Sequence, residues 1–335
     1  MLHKHASRLL PKFLGLGLLA AACALAPAAQ AKIVLKAGHI AAVGHPWHEA
    51  LVGMAEDVKQ ATNGEVEIQV YPSSQLGGER EMAQGLGLGV LEMGLFGTGA
   101  LQALDKRLII EELPYAWPTR EHAYRALDGK LGEALADVLS GMKIVTLSWW
   151  ESGYRHITNS VRPIEKPEDM RGIKLRVPEA EMRIDTFKML GALPTPMPFS
   201  EVFTGLQQKV VDGQENPLST IHASKFYEVQ GNLALSGHIW GSAVLTISQS
   251  AWGRLSDEQK QVLKDAAEKW KLKERDMIAK ADDEALKQIE AAGVKVTRPD
   301  PAAFQKAVQP VWSKYEDTFG TDLMNLVREY SASGS

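Results

Sequence analysis

The chain has 335 residues, with 37 lysines and arginines against 41 aspartates and glutamates, a formal net charge of −4 and a single cysteine. The acidic balance argues against a nucleic-acid partner, and one cysteine excludes an intrachain disulfide framework. The length exceeds what one hydrophobic core usually organises and favours two lobes, with a ligand cleft between them.

Residues 1–31 read as an export signal: Lys4, Arg8 and Lys12 precede an apolar run over 13–26, and Ala29-Gln30-Ala31 offers small residues for cleavage after Ala31. That run is shorter than the roughly 20 residues a bilayer span needs, so the mature chain is expected in the periplasm. Loss of the segment leaves 34 basic against 41 acidic residues over 304 positions and removes Cys23. No thiol then remains for nucleophilic catalysis or a thiolate metal site. A lipid anchor on Cys23 is the competing reading. Ala20-Ala21-Ala22 disfavours it, because a larger aliphatic residue is usual three positions before a lipidated cysteine.

A β-rich stretch at 32–39 leads through Gly44-His45-Pro46 into an amphipathic run over 47–61, stopped by Asn63-Gly64. Val66, Ile68 and Val70 alternate with polar residues as in a half-buried strand, and Pro72-Ser73-Ser74 turns the chain. Positions 79–88 predict a helix and 90–96 a buried strand ending in Gly97-Thr98-Gly99. Strands alternating with helices imply a largely parallel α/β sheet. Helical signals return over 119–140, 143–149 reads as a strand, and Gly153 as a hinge into the second lobe. There, 154–158 and 172–177 read as strands, 179–190 as a helix, and 193–198 as a strand broken by prolines. A helix capped by Ser200 follows over 200–210, and 233–247 is a return strand. From the capping-box spacing Ser256-Asp257-Glu258-Gln259 no glycine or proline occurs until Gly293. A helix over 257–292 would be roughly 54 Å long, enough to cross both lobes. Its apolar stripe breaks at 271–275, where a bend or an exposed segment is expected.

The chain offers little catalytic chemistry. Gly85, Gly87 and Gly89 hint at a phosphate loop, but Val90 stands where a dinucleotide fingerprint needs its third glycine. His45 and His48 are followed by Glu49-Ala50-Leu51-Val52, which completes no zinc-protease motif, so a capping or packing role is expected for them. No nucleophile elbow appears. More informative is Arg176, a guanidinium on the short apolar strand Leu175-Arg176-Val177-Pro178, which keeps its charge and needs an anionic partner wherever it is buried. A ligand carboxylate is one such partner, and a protein carboxylate the other.

Four segments together carry a resemblance: Tyr71-Pro72-Ser73-Ser74-Gln75-Leu76-Gly77, Leu175-Arg176-Val177-Pro178, Pro194-Thr195-Pro196-Met197-Pro198-Phe199-Ser200-Glu201-Val202, and Val211-Asp212-Gly213-Gln214-Glu215-Asn216-Pro217. In these the chain closely resembles the solute-receptor subunit of tripartite ATP-independent periplasmic (TRAP) transporters, from about residue 33 to near the C-terminus. The resemblance implies a two-lobed α/β periplasmic binding protein with a long helix spanning both lobes. Lobe I is expected over 32–153 with 242–281, and lobe II over 154–241 with 282–335. It implies a monomeric, cofactor-free receptor that closes on an organic acid and delivers it to a sodium-driven permease. By the same resemblance Arg176 grips the ligand carboxylate as a bidentate fork, Asn216 supports it, Arg155 adds a donor, Phe199 packs on the ligand, and Glu79 reaches its hydroxyl or amine side. The wall opposite Arg176 has His39, Ile40, Gly97, Trp149, Trp150, His238 and Trp240 as candidates. Tryptophan faces suit a sugar ring, so a sugar acid such as a uronate is favoured over a C4-dicarboxylate, and Gly97 makes sialic acid a poorer fit. A periplasmic enzyme acting on hydroxy acids is the alternative of a different class.

Overall fold

The computed structural model describes residues 32–332. The export signal, its cleavage site and Cys23 lie outside the described residues. In chain order the first half contains β1 (Ile33–Gly38), α1 (Pro46–Ala61), β2 (Val66–Tyr71), α2 (Glu79–Leu88), β3 (Met93–Gly97), α3 (Thr98–Leu101), α4 (Arg120–Leu127) and α5 (Lys130–Ser140). The long strand β4 (Ile144–Asn159) follows, then β5 (Lys174–Val177), α6 (Glu181–Met189), β6 (Leu193–Pro196), α7 (Val202–Gln207), β7 (Gly213–Pro217) and α8 (Leu218–Ala223). A second long strand, β8 (Asn232–Ser248), leads to α9 (Gln249–Trp252), α10 (Asp257–Ala291), β9 (Lys295–Thr297), α11 (Pro301–Val308), α12 (Pro310–Phe319) and α13 (Thr321–Ala332).

All nine strands among the described residues join one sheet in the order β2-β1-β3-β8-β4-β7-β5-β6, with β9 beside β8. The flanks, β2-β1-β3 and β7-β5-β6, are internally parallel, while β8 and β4 run antiparallel to each other and to the flanks they join. β4 and β8 therefore each pass through both halves of the molecule. The two strands expected on either side of Gly153 are one strand, because Gly153, at φ +113°, is absorbed as a bulge directly opposite Gly241. A side chain at Gly153 would be strained by that dihedral and would sit 3.3 Å from Pro217 Cβ.

His45 caps α1, its Nδ1 accepting the Trp47 amide at 3.1 Å, with Pro46 at the first helical position. Gly85 and Gly87 lie inside α2, and Gly89 ends it in the left-handed conformation, which explains their spacing without a phosphate. Ser200 caps nothing: Phe199–Glu201 form a 3-10 turn out of Pro198, and α7 starts at Val202.

The capping box on Ser256 and Gln259 opens α10, 35 residues and about 52 Å long. Leu263, Ala266, Ala267 and Ile278 enter the core built on α1 and β1–β3, whereas Ala285 and Ile289 enter the core under α7 and α8. The helix thus braces both lobes. Residues 271–275 stay within the helix and are exposed only in part: Leu272 and Lys273 face solvent. Lys271, Glu274 and Arg275 are buried; Arg275 grips Asp128 with two bonds of 2.7 and 2.9 Å, and Glu274 accepts the Glu151 amide at 2.9 Å. Pairing, rather than apolarity, permits that burial. α13 packs on α4 and α5, so the end of the chain, expected in the second lobe, touches helices expected in the first. Among the described residues no helix is long and apolar enough to cross a membrane.

Candidate ligand-binding site

The C-terminal ends of β1, β3, β5 and β7 converge on a cavity of about 560 Å³, mouth included. Open α/β sheets place ligands at this end of their strands, where neighbouring crossovers diverge. Residues just past the strands line it: Ile40 after β1, Gly97 and Gly99 around the end of β3, Pro178 after β5, and Asn216 near the end of β7. Arg155 comes from β4, Glu79 from the start of α2, and Phe199 from the 3-10 turn.

Three guanidinium groups face the cavity, with unequal partners. Arg155 is 5% exposed and is occupied by the protein: its Nε donates to Glu215 Oε2 at 2.5 Å, and its Nη2 to the Glu215 carbonyl at 2.6 Å and to Asn216 Oδ1 at 3.0 Å. Arg183, from the buried face of α6, donates to Glu215 Oε1 at 2.9 Å and grips Glu112 through both Nε and Nη2. Arg176 is different. It is 3% exposed, and its Nε and Nη2 converge on the Met197 carbonyl at 2.9 and 2.7 Å, with the Phe199 ring 5.9 Å away. Among the described residues no carboxylate lies within ion-pair distance of it. Burial pushes its pKa down to about 9; Glu215 opposes the shift, while Arg155 and Arg183 add to it.

Glu215 sits at the centre of this network. Burial alone would raise its pKa, but Arg155 and Arg183 outweigh that and hold it well below the usual carboxylate range, so it stays charged. His238 Nε2 lies 3.2 Å from the same carboxylate. Asn216 is fixed from both sides, accepting from Arg155 and donating to Gln214 Oε1 at 2.5 Å. On the opposite side Glu79 accepts the Gly97 amide at 3.0 Å, and burial pushes its carboxyl up to about 7 against that hydrogen bond and the three arginines. His45 joins the wall, its Nε2 3.2 Å from Thr220 Oγ1, so that α1 and α8 meet at the cavity. Burial lowers its pKa to about 3 and leaves the ring neutral.

Arg176, Asn216, Arg155, Phe199 and Glu79 therefore surround one cavity, with Ile40 and Gly97 among their neighbours. His39, Trp150 and Trp240 do not line it. His39 is fully buried beside His48, 3.3 Å away. Trp150 belongs to the core that includes Trp47 and Ala243. Trp240 is buried and donates to Glu151 Oε1 at 3.0 Å. Trp149 and His238 are likewise interior. The β4 and β8 tryptophans fill space between sheet and helices, where their area stabilises most. Sequence reasoning missed Arg183, Glu112 and the part played by Glu215. The available signal was Arg183 beside Met182 and one turn before Thr186 and Phe187, a cation on the buried face of a helix.

Taken as charges, Glu112 and Glu215 offset two of the three guanidiniums, leaving one positive charge on a rigid, desolvated fork. That arrangement suits a bound carboxylate and supplies no activated nucleophile.

Residues 37–318 match the family described as bacterial extracellular solute-binding protein, family 7. The sialic acid-binding periplasmic protein SiaP of Vibrio cholerae is 35% identical over 301 residues, covering 90% of this chain and 94% of that protein. The 2,3-diketo-L-gulonate-binding periplasmic protein YiaO of Escherichia coli is 33% identical over 279 residues, 81% of this chain and 84% of that one. Among solved structures, the sugar acid-binding protein DctPAm of Advenella mimigardefordensis in complex with galactonate superposes with a TM-score of 0.87 at 32% identity, covering 90% and 98% of the two chains. A TRAP solute-binding protein of Sulfitobacter with bound β-D-galacturonate gives 0.86 at 29% identity, over 88% and 99%. Such proteins are transport receptors that present organic acids to a TRAP membrane permease, which sets aside a hydroxy-acid enzyme. The chain belongs to family 7 of the bacterial extracellular solute-binding proteins, the two-lobed receptors of TRAP transporters.

Proposed function

We propose that this receptor binds a sugar acid of the uronate or aldonate class, holding its carboxylate on Arg176, and delivers it from the periplasm to a sodium-coupled permease. The observation that carries the reading is the asymmetry among the three cavity arginines. Arg155 and Arg183 are bound to Glu215 and Glu112, while Arg176 has only a backbone carbonyl. A buried cation in that condition costs free energy until an anion arrives. A planar guanidinium then meets a carboxylate with parallel charge-assisted bonds that fix orientation as well as charge, each contributing about 1.5–3 kcal/mol. Asn216, immobilised by Arg155 and Gln214, stands beside it with amide capacity to spare. Glu79 and the Ser152 and Thr220 hydroxyls supply polar groups for ring or chain hydroxyls. The relatives crystallised with galactonate and galacturonate favour this class.

A C4-dicarboxylate is the second reading, favoured by a 33% identical relative with bound succinate. A melting-temperature screen against an organic-acid library, followed by calorimetry of the hits on wild type and Arg176→Ala, decides between them. The expected result is stabilisation by sugar acids and a loss of about two to four decades in affinity in the variant. Unchanged affinity in Arg176→Ala, with the fold intact, removes Arg176 from the ligand. Stabilisation by dicarboxylates alone replaces the sugar-acid reading.

A further inference from the structure

Resting on the sugar-acid reading, we propose that the site is built for one negative charge and that Glu79 binds the ligand in its neutral form: it takes up a proton as the acid arrives, offers it to a ligand oxygen, and so couples binding to protonation. The argument begins with the charges that face it. Arg176 on β5, Arg155 on β4 and Arg183 on α6 are the cations of its cavity, and the carboxylates of Glu112 and Glu215 already pair with the last two. The one remaining charge is enough for a single carboxylate. If Glu79 is ionised the empty site is balanced, and any monoanion leaves an excess negative charge in a desolvated space. If Glu79 is protonated the same monoanion neutralises the site.

Geometry supports the neutral form. Glu79 Oε1 takes one amide, from Gly97 at 3.0 Å, and among the described residues its other oxygen has no protein hydrogen bond. Among the described residues no arginine forms an ion pair with it. The remaining charged groups near it do not supply a cation for a second ligand carboxylate. Arg80 on its own helix is at the exposed rim, with Glu81 and Glu179 beside it. His45, the titratable group on the α1 side, is buried and neutral. The side chain is half-buried, and its partial loss of water pushes the unliganded carboxyl up to about 7, where an arriving anion shifts it further upward. Ligand binding and proton uptake are then linked, and affinity for a monoacid falls as pH rises through 7.

Galactonate and galactarate differ only in whether the distal carbon is a hydroxymethyl or a carboxylate, so they isolate the second charge. Titration calorimetry on the full mature chain from pH 6 to 8.5, in two buffers of different ionisation enthalpy, reads affinity and protons together. The expected result is galactonate binding with net proton uptake, affinity falling at least about threefold over that range, and galactarate weaker by about tenfold or more. Glu79→Gln, which cannot ionise, is expected to abolish the proton uptake and flatten the pH dependence while keeping the preference for galactonate, because the amide is as neutral as the protonated acid. The proton count on wild type is independent of whether that variant folds. Galactonate binding without proton uptake, galactarate binding as tightly as galactonate, or an unchanged pH dependence in folded Glu79→Gln overturns the inference and leaves the sugar-acid reading standing. Failure of galactonate, galacturonate and glucuronate alike to bind the wild type overturns both.

Discussion

Arg183 and Glu112 meet as a buried bidentate pair, Nε to Oε2 at 2.9 Å and Nη2 to Oε1 at 2.5 Å, that ties α6 to the turn following α3. One element comes from the chain after β5 and the other from the chain after β3, so this buried ion pair joins the two flanks of the sheet at the cavity wall. Glu112 also accepts the Gly99 amide at 3.2 Å. Removing one partner leaves the other charge buried, which costs about 3–5 kcal/mol. Urea unfolding of Arg183→Met and of Glu112→Gln should show losses of that order. The double variant should lose less than the sum, because both changes remove the same pair. Strictly additive losses mean the pair is not coupled.

Arg176 should behave in the opposite way. Its lowered pKa means that the fold disfavours its charged form, so the ligand-free protein is destabilised by its own binding group. Arg176→Met exchanges that charge for an apolar side chain at the expense of one carbonyl partner, about 1–3 kcal/mol. Calorimetry should find a ligand-free melting temperature equal to or above that of wild type, together with no shift on adding the acid. A fall of many degrees would make Arg176 a structural residue.

Glu111 is fully buried, accepts from the Ser242 hydroxyl at 2.9 Å, and is pushed up to about 8 by burial and by Glu112. A carboxyl whose pKa is raised on folding contributes its stability while both states are protonated. That contribution is lost as pH climbs from the unfolded value near 4.5 through the folded value near 8. Glu111→Gln cannot ionise, so its stability should fall less between pH 5 and 8, and it should exceed wild type at pH 8.5. Parallel stability curves for the two proteins would contradict this.

The position of Trp240 separates structure from recognition. Its indole donates to Glu151, a fully buried carboxylate also held by Arg120 at 2.8 Å and by the Tyr124 hydroxyl. Trp240→Phe removes that donor and should cost about 1–3 kcal/mol of stability. Affinity for the acid identified by screening should stay within about threefold, since the side chain is off the cavity. A tenfold loss of affinity with unchanged stability would return Trp240 to the ligand wall.

Much of this architecture is written locally in the chain. The alternation at Val66, Ile68 and Val70, the capping box on Ser256 and the absence of breakers before Gly293 each concern neighbours a few residues apart, and each element forms as expected. The strand break expected at Gly153 misleads because a lone glycine reads as an interruption, whereas this one is held in the ladder opposite Gly241, a partner 88 positions away. Lys271, Glu274 and Arg275 mislead for the same reason: their burial rests on Asp128 and Glu151, which no local pattern reveals. At the cavity, Arg176 is legible because a charge on a short apolar strand is conspicuous. Arg183 is not, since a charged residue on a helix is ordinarily solvated, and only Glu112 and Glu215 draw this one inward. The tryptophans offer both an apolar body and a donor, so residue type alone does not separate wall from core.

The glycine pair Gly153 and Gly241, where β4 and β8 pass between the halves, borders the cavity at Ser152 and Glu112. Ile40 and Phe199 lie on connections between elements and Glu79 is the first residue of α2, so exchanging them alters what is recognised without disturbing the crossing. Divergence among paralogues should therefore concentrate in those connections, with Gly153 staying fixed by its dihedral and by Pro217 at its shoulder.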